Sequence, residues 1–228
     1  MKIKLVECIG NTWQGEGPDS GKKMTLVRFQ KCDRVVFKRA CKWCDTLVKM
    51  RVSCEAEYDI NDIQSFVKLS GGLMITGGEP TFQDNLEDTK LLLKEIDYDV
   101  CNIETNGYAL DKIIDYIPFL EKEKQLKTKI IYSPKIFDEC DYEDTKALIR
   151  RFHRIPQLYI KFVNDDRSFL KNILYYITTL NMRSDQVWLM PLGATKEDIL
   201  QNSKNVIDKL EEYNINFSSR NHIIYDFI

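Results

Sequence analysis

The sequence predicts an α/β fold built on a mainly parallel sheet, open or curled into an incomplete barrel. Two observations support this. Short runs rich in Val, Ile and aromatic residues alternate with amphipathic stretches along the chain, the order that produces strand–helix–strand units. Four of the runs also end in polar or glycine-rich turns: Gly77-Gly78-Glu79-Pro80, Glu104-Thr105-Asn106-Gly107, Ser133-Pro134-Lys135 and Met190-Pro191-Leu192-Gly193. In parallel sheets the reacting groups collect at the carboxyl ends of strands, so these turns describe one rim of one site.

Strands are expected at residues 5–9, 24–29, 73–76, 100–104, 129–133, 158–163, 187–190 and 222–227. Between them, Ile60, Ile63, Phe66 and Val67 share one helical face, as do Phe169, Ile173, Ile177 and Leu180. Thr195 followed by Asp198 has the form of a capping box opening a helix towards Tyr213, with Ile199, Val206 and Leu210 turned inward. Residues 33–40 read as a basic and apolar loop. A chain of 228 residues buries roughly 70–75% of the surface its unfolded form exposes, enough for one core. Residues 1–228 are therefore expected to form a single domain.

The balance of 33 basic and 35 acidic residues leaves a net charge of −2, which argues against a nucleic-acid or anionic-membrane binder. The opening residues meet Glu7 too soon to form a signal peptide. No apolar run approaches the roughly 20 residues that span a bilayer. The expectation is a cytoplasmic protein with no membrane attachment. Seven cysteines are an odd number and are not spread as a disulfide framework. In a reducing compartment, clustered cysteines point to metal or catalysis.

Cys32, Cys41 and Cys44 form such a cluster. Three thiolates can hold an iron–sulfur cluster and leave one iron open for chemistry. The isolated Cys8, Cys101 and Cys140 are expected in the apolar core. Structural zinc is the other reading the cysteines allow, with Cys54 as fourth thiolate. Zinc leaves Gly77-Gly78-Glu79 unexplained. Glycines let backbone come close to a ligand, and a carboxylate beside an ammonium forms a bond worth about 1.5–3 kcal/mol.

Taken with the Gly-Gly-Glu turn, the cysteine cluster resembles the radical S-adenosylmethionine superfamily, which implies a partial TIM-like barrel, a [4Fe–4S] cluster and S-adenosylmethionine as cofactors. The spacing here is Cys-x8-Cys-x2-Cys, whereas Cys-x3-Cys-x2-Cys is usual there, so the cluster loop at 32–44 is expanded. Within the superfamily, Trp13-Gln14-Gly15-Glu16-Gly17, Val27-Arg28-Phe29, Cys41-Lys42-Trp43-Cys44-Asp45-Thr46, Thr76-Gly77-Gly78-Glu79-Pro80, Glu104-Thr105-Asn106-Gly107, Ser133-Pro134-Lys135 and Arg220-Asn221-His222 occur in an order that resembles the 7-carboxy-7-deazaguanine synthase family. A glycyl radical activase would share the cluster but not the Gln-Gly-Glu-Gly opening, Arg28 or Cys-Asp-Thr.

The resemblance implies a lyase that contracts the ring of 6-carboxy-5,6,7,8-tetrahydropterin to 7-carboxy-7-deazaguanine with loss of ammonia, on a route to queuosine and other deazapurines. It implies Cys32, Cys41 and Cys44 as cluster ligands, and Gly78 and Glu79 against the methionine part of the cofactor, with Trp43 and Asp45 beside them. Ser133, Lys135, Met190, Pro191, Leu192 and Gly193 are implied for the nucleoside part. Thr46 is implied as a Mg²⁺ ligand, a threonine turn being the other reading. Trp13, Gln14, Gly15 and Thr76 would line the pterin, with Glu16 on its guanidine-like edge or paired within the site. Arg28 would take the substrate carboxylate, against the alternative of a strand-face ion pair. His222 and the Ile228 carboxylate complete the implied set, the histidine otherwise satisfying a local bond. An electron donor such as flavodoxin and a homodimer are implied partners.

Overall fold

The computed structural model describes residues 1–41, 44, 55–164 and 168–226. The chain divides into two compact units. One comprises Met1–Trp13 and Lys22–Ile130, the other Gln14–Gly21 and Ile131–Ile228.

In the first unit, β1 (Lys2–Leu5) pairs antiparallel with β4 (Ala56–Asp59) as a two-stranded ribbon. A separate sheet begins with β2 (Glu7–Trp13), antiparallel to β3 (Lys23–Phe29); β3, β5 (Gly72–Gly77) and β6 (Val100–Thr105) then run parallel. Met24, Thr25, Leu26 and Val27 are consecutively buried on β3, as are Gly72, Leu73, Met74 and Ile75 on β5. Such unbroken apolar runs suit parallel strands covered on both faces.

The helices of this unit are α1 (Asp33–Val36), α2 (Ile60–Ser70), α3 (Gln83–Glu95), α4 (Leu110–Ile114) and α5 (Lys122–Lys127). Asp59 caps α2 by accepting from the Asn61 N–H at 2.9 Å, and Gly71 ends it at φ 76°, a left-handed conformation that favours glycine. Ile60, Ile63 and Val67 are buried along the inner face of α2, each contributing about 1.5–3 kcal/mol. Phe66, expected on that face, lies instead across Gly10, where an added Cβ would meet its ring at 2.7 Å.

β7 (Thr128–Tyr132) leads from the first unit into the second. There α6 (Glu139–Phe152), β8 (Leu158–Asn164), α7 (Ser168–Thr179), β9 (Val187–Pro191), α8 (Lys196–Tyr213), β10 (Asn216–Phe217) and α9 (Asn221–Ile224) follow in order. β8, β9 and β10 are parallel neighbours. The expected capping box is present: the Thr195 hydroxyl accepts from the Asp198 N–H, and the Asp198 carboxylate accepts from the Thr195 N–H. Ile199 and Val206 are buried beneath α8, with Leu210 half-buried. Ile173 and Ile177 are buried on α7, whereas Leu180 lies just past its end.

Four expectations change. The strand expected at 5–9 is two strands broken at Val6, whose N–H donates to the Arg28 carbonyl at 2.8 Å. The strand expected at 222–227 begins instead as α9, because the N–H groups of Ile223 and Ile224 turn back to the Arg220 carbonyl; its β-branched and aromatic residues had pointed to strand. Residues 33–36 of the expected loop are helical, with Cys32 as N-cap. Cys101 is buried as expected, but Cys8 is only half-buried and Cys140 is exposed in the first turn of α6. No helix among the described residues is long and apolar enough to cross a membrane.

Candidate active site

In the first unit, the turn after β5 is built to approach the cysteine segment. Gly77 has φ 111°, and a Cβ there would stand 2.4 Å from the Phe29 backbone. A Cβ on Gly78 would meet the Lys31 carbonyl oxygen at 2.0 Å. The Gly78 N–H donates to the Phe29 carbonyl and the Glu79 N–H to the Lys31 carbonyl, each at 2.8 Å. Asn85 adds a side-chain bond to the same Lys31 carbonyl at 2.8 Å. The two glycines therefore anchor the backbone that leads directly into Cys32.

Glu79 is almost wholly buried. Its Oε1 accepts from the Thr81 N–H (3.0 Å), the Thr81 hydroxyl (2.7 Å) and the Thr105 hydroxyl (2.5 Å), and its Oε2 accepts from the Asn106 N–H (2.6 Å). Burial raises its pKa and these donors work in the opposite direction, leaving it above the ordinary carboxylate range. Its oxygens thus tie the end of β5 to the end of β6. From there the Asn106 amide donates to Asp33 Oδ1 at 2.7 Å and lies 3.9 Å from Cys32 Sγ. Burial, and then the neighbouring Asp33 carboxylate, push the Cys32 thiol up to about 12, against the pull of the Arg34 and Val35 N–H groups.

On the same unit, Glu7, Arg28 and Thr76 are register partners across β2, β3 and β5. Arg28 Nε lies 2.5 Å from Glu7 Oε1, so the cross-strand ion pair weighed from the sequence is present. Trp13 ends β2 half in solvent, with Lys23 Nζ 5.4 Å from its ring centroid.

In the second unit, Gln14 is buried and its Oε1 accepts from the Glu16 N–H at 3.2 Å. Glu16 Oε2 lies 2.7 Å from Lys161 Nζ; its Oε1 lies 3.0 Å from Arg220 Nε and 3.8 Å from His222 Nε2. Burial alone would raise the Glu16 pKa, but Lys161, Arg220 and His222 together hold it far below the usual carboxylate range. Gly15 is required by the same packing, since a Cβ there would strike His222 Nδ1 at 2.1 Å. Ser133 is buried and accepts from Lys135 Nζ at 2.9 Å. Met190 and Pro191 are buried at the end of β9, while Leu192 and Gly193 are half-buried. Their carbonyls accept from Asn202 Nδ2 (2.5 Å) and from Arg220 respectively.

Curated relatives match more than four fifths of this chain. The 7-carboxy-7-deazaguanine synthase of Haemophilus influenzae is 36% identical over 208 residues, covering 85% of this chain and 92% of the relative. That of Buchnera aphidicola is 30% identical over 211 residues, covering 83% and 84%. The chain belongs to the 7-carboxy-7-deazaguanine synthase family. The crystal structure of QueE from Escherichia coli shares its fold, with a TM-score of 0.56, 18% identity and coverage of 97% and 95% of the two chains. No protein-family model matches the chain.

Trp43, Asp45, Thr46, Cys54 and Ile228 lie outside the described residues. For the family member's cysteines, the donor chemistry fits an iron–sulfur cluster. Cys32, Cys41 and Cys44 are outside any disulfide and half-buried, so not sealed in the core. A cubane needs one thiolate at each of three separate irons.

Two functional residues escaped the sequence reading. Lys161 has a visible signal, a lone charge inside the apolar run Leu158-Tyr159-Ile160-Lys161-Phe162-Val163. A lysine there is buried only if paired. Asn106 stood within a quoted motif without a role, and only its contact with Asp33 reveals one.

Proposed function

We propose that this member of the 7-carboxy-7-deazaguanine synthase family converts 6-carboxy-5,6,7,8-tetrahydropterin to 7-carboxy-7-deazaguanine with loss of ammonia. It does so as one catalytic domain over residues 1–228, of the partial TIM-like barrel, radical S-adenosylmethionine type. The observation that carries this is the match to relatives of that name over 83–85% of the chain. Among the described residues, Trp13, Arg28, Thr76, Met190 and Pro191 lie in the last two residues of their strands, and His222 lies on α9.

Cys32, Cys41 and Cys44 would hold a [4Fe–4S] cluster. When bound, the cluster and S-adenosylmethionine together supply one-electron chemistry able to take a hydrogen atom from carbon. Metal binding requires the thiolate. The Gly77–Gly78 turn would support the methionine end of the cofactor, with Trp43 and Asp45 beside it. Glu79, with its oxygens engaged by Thr81, Thr105 and Asn106, would keep that turn in place. Ser133, Lys135 and residues 190–193 would receive the nucleoside. Thr46 would supply one oxygen to Mg²⁺, whose other ligands come from water and substrate.

For the substrate, Trp13, Gln14, Gly15 and Thr76 would line the pterin, with His222 and the Ile228 carboxylate completing the surroundings. Glu7 engages Arg28 at its Nε edge, and the guanidinium would take the substrate carboxylate. The protein works in the cytoplasm as a homodimer, with an electron donor such as flavodoxin.

Anaerobic reconstitution with iron and sulfide, followed by the carboxypterin, S-adenosylmethionine and Mg²⁺, tests the reading. Brown protein with about four irons and mass detection of the deazaguanine acid are expected. Colourless protein with one zinc and no product would overturn it. In the same assay Arg28→Ala is expected to lose about a hundredfold in kcat/KM for the pterin, the cost of truncating one partner of a desolvated charge pair. Cleavage of S-adenosylmethionine without product should remain measurable. Unchanged product formation would remove Arg28 from the substrate site.

A further inference from the structure

We propose that Lys161 and Arg220 are positioning residues: they clamp the Glu16 carboxylate and so hold residues 14–21 in the one conformation that receives substrate. The link to substrate rests on the reading of that segment as the pterin wall; the clamp itself rests on geometry.

Lys161 is 3% exposed on β8, between the buried Ile160 and Phe162. A charge that deep persists only with a partner, and Glu16 supplies it at 2.7 Å. Arg220 is 7% exposed and reaches two ways, its Nε to the other Glu16 oxygen at 3.0 Å and its Nη1 to the Gly193 carbonyl. Each oxygen of one carboxylate therefore carries a cation, one from β8 and one from the segment before α9.

Neutral bonds repeat the same connection. The Gly17 N–H donates to Ser218 Oγ at 2.8 Å, the Asn221 N–H to the Gly15 carbonyl at 2.9 Å, and the Asn221 amide to Ser20 Oγ at 2.9 Å. Residues 14–21 have no ladder of their own; the single turn of 3-10 helix at Gly17–Asp19 is their regular structure. Inside the segment the Gly21 N–H donates to the Gln14 carbonyl at 2.8 Å, the Ser20 N–H to the Gly17 carbonyl at 3.2 Å and the Glu16 N–H to Gln14 Oε1 at 3.2 Å; the bonds above hold that loop from outside. With both oxygens occupied in this way, Glu16 acts as the grip on the wall and not as a bidentate acceptor for the pterin edge.

The test is hydrogen exchange of the folded protein, paired with steady-state kinetics of the reconstituted enzyme. In Lys161→Met the amides of residues 15–20 are expected to exchange at least about tenfold faster, because a buried carboxylate loses one of its cations. KM for the carboxypterin should rise by more than kcat falls, and exchange within α2 should stay as in the parent. Unchanged exchange at 15–20 in folded Lys161→Met overturns the proposal. So does faster exchange that is equal across α8 and β9, which would mark general loosening. If Lys161→Met does not fold, Arg220→Lys, which keeps a cation but loses the forked reach, is judged by the same two criteria. A parent enzyme that makes no deazaguanine product sinks the functional reading while leaving the exchange comparison to decide the clamp.

Discussion

Glu79→Ala is expected to lower the melting temperature of the metal-free protein by roughly 10 °C, the shift that about 4 kcal/mol produces in a domain of this size. The loss comes from the donors left behind. The Thr81 and Thr105 hydroxyls, 3.4 Å apart, can turn to each other when the carboxylate goes. The backbone N–H groups of Thr81 and Asn106 cannot, and each buried unpaired donor costs about 1–3 kcal/mol. Glu79→Gln should fall between, because its NH₂ must face one of those two N–H groups, donor against donor. Calorimetry on the three proteins decides this. A Gln variant that melts with the parent would mean that the carboxylate is not the acceptor described.

Cys32→Ala is expected to leave the secondary structure intact and to abolish both the cluster and product formation. The side chain is half-buried, at the N-cap of α1 where the backbone is extended, so alanine fits without strain. Iron analysis and the visible spectrum after anaerobic reconstitution measure the effect, with circular dichroism as the control for folding. Retention of parental iron in Cys32→Ala would remove this residue from the ligand set. Cys54→Ala, in contrast, is expected to keep its iron. Loss of all metal in that variant would favour a four-thiolate zinc site.

Much of the first unit was legible because its signals are local. The apolar runs at β3, β5 and β6 are strand patterns in any context, as in the second unit the Thr195–Asp198 capping box announces its own helix. Gly77 and Gly78 were visible as glycines, but their purpose was not. They make room for the backbone at Phe29 and Lys31, a contact some fifty positions away in sequence that no spacing rule reveals. Nor did the spacing reveal that Glu79 accepts from Thr81, Thr105 and Asn106.

The ends of the chain were the hardest to read. β1 and β4 are short and rich in charge; alternate residues of β1 and the first two of β4 lie in water. Residues 221–224 have strand-like composition but become helical because the Arg220 carbonyl accepts the Ile223 and Ile224 N–H groups while its guanidinium grips Glu16 and Gly193. Tertiary anchoring overrides local preference there. The cost of burying Lys161 likewise makes sense only once Glu16, 145 positions away, is seen opposite it.

That separation bears on how the protein is made. Glu16 leaves the ribosome 204 residues before Arg220. Through most of synthesis residues 14–21 therefore exist without Ser218, Arg220 or Asn221, the groups that give them their shape. A nascent chain stalled at residue 215 could already carry the Gly77–Glu79 turn and its cysteine segment. Its segment 14–21 would still be an unmoulded strip of polypeptide, finished only when translation supplies the missing hand.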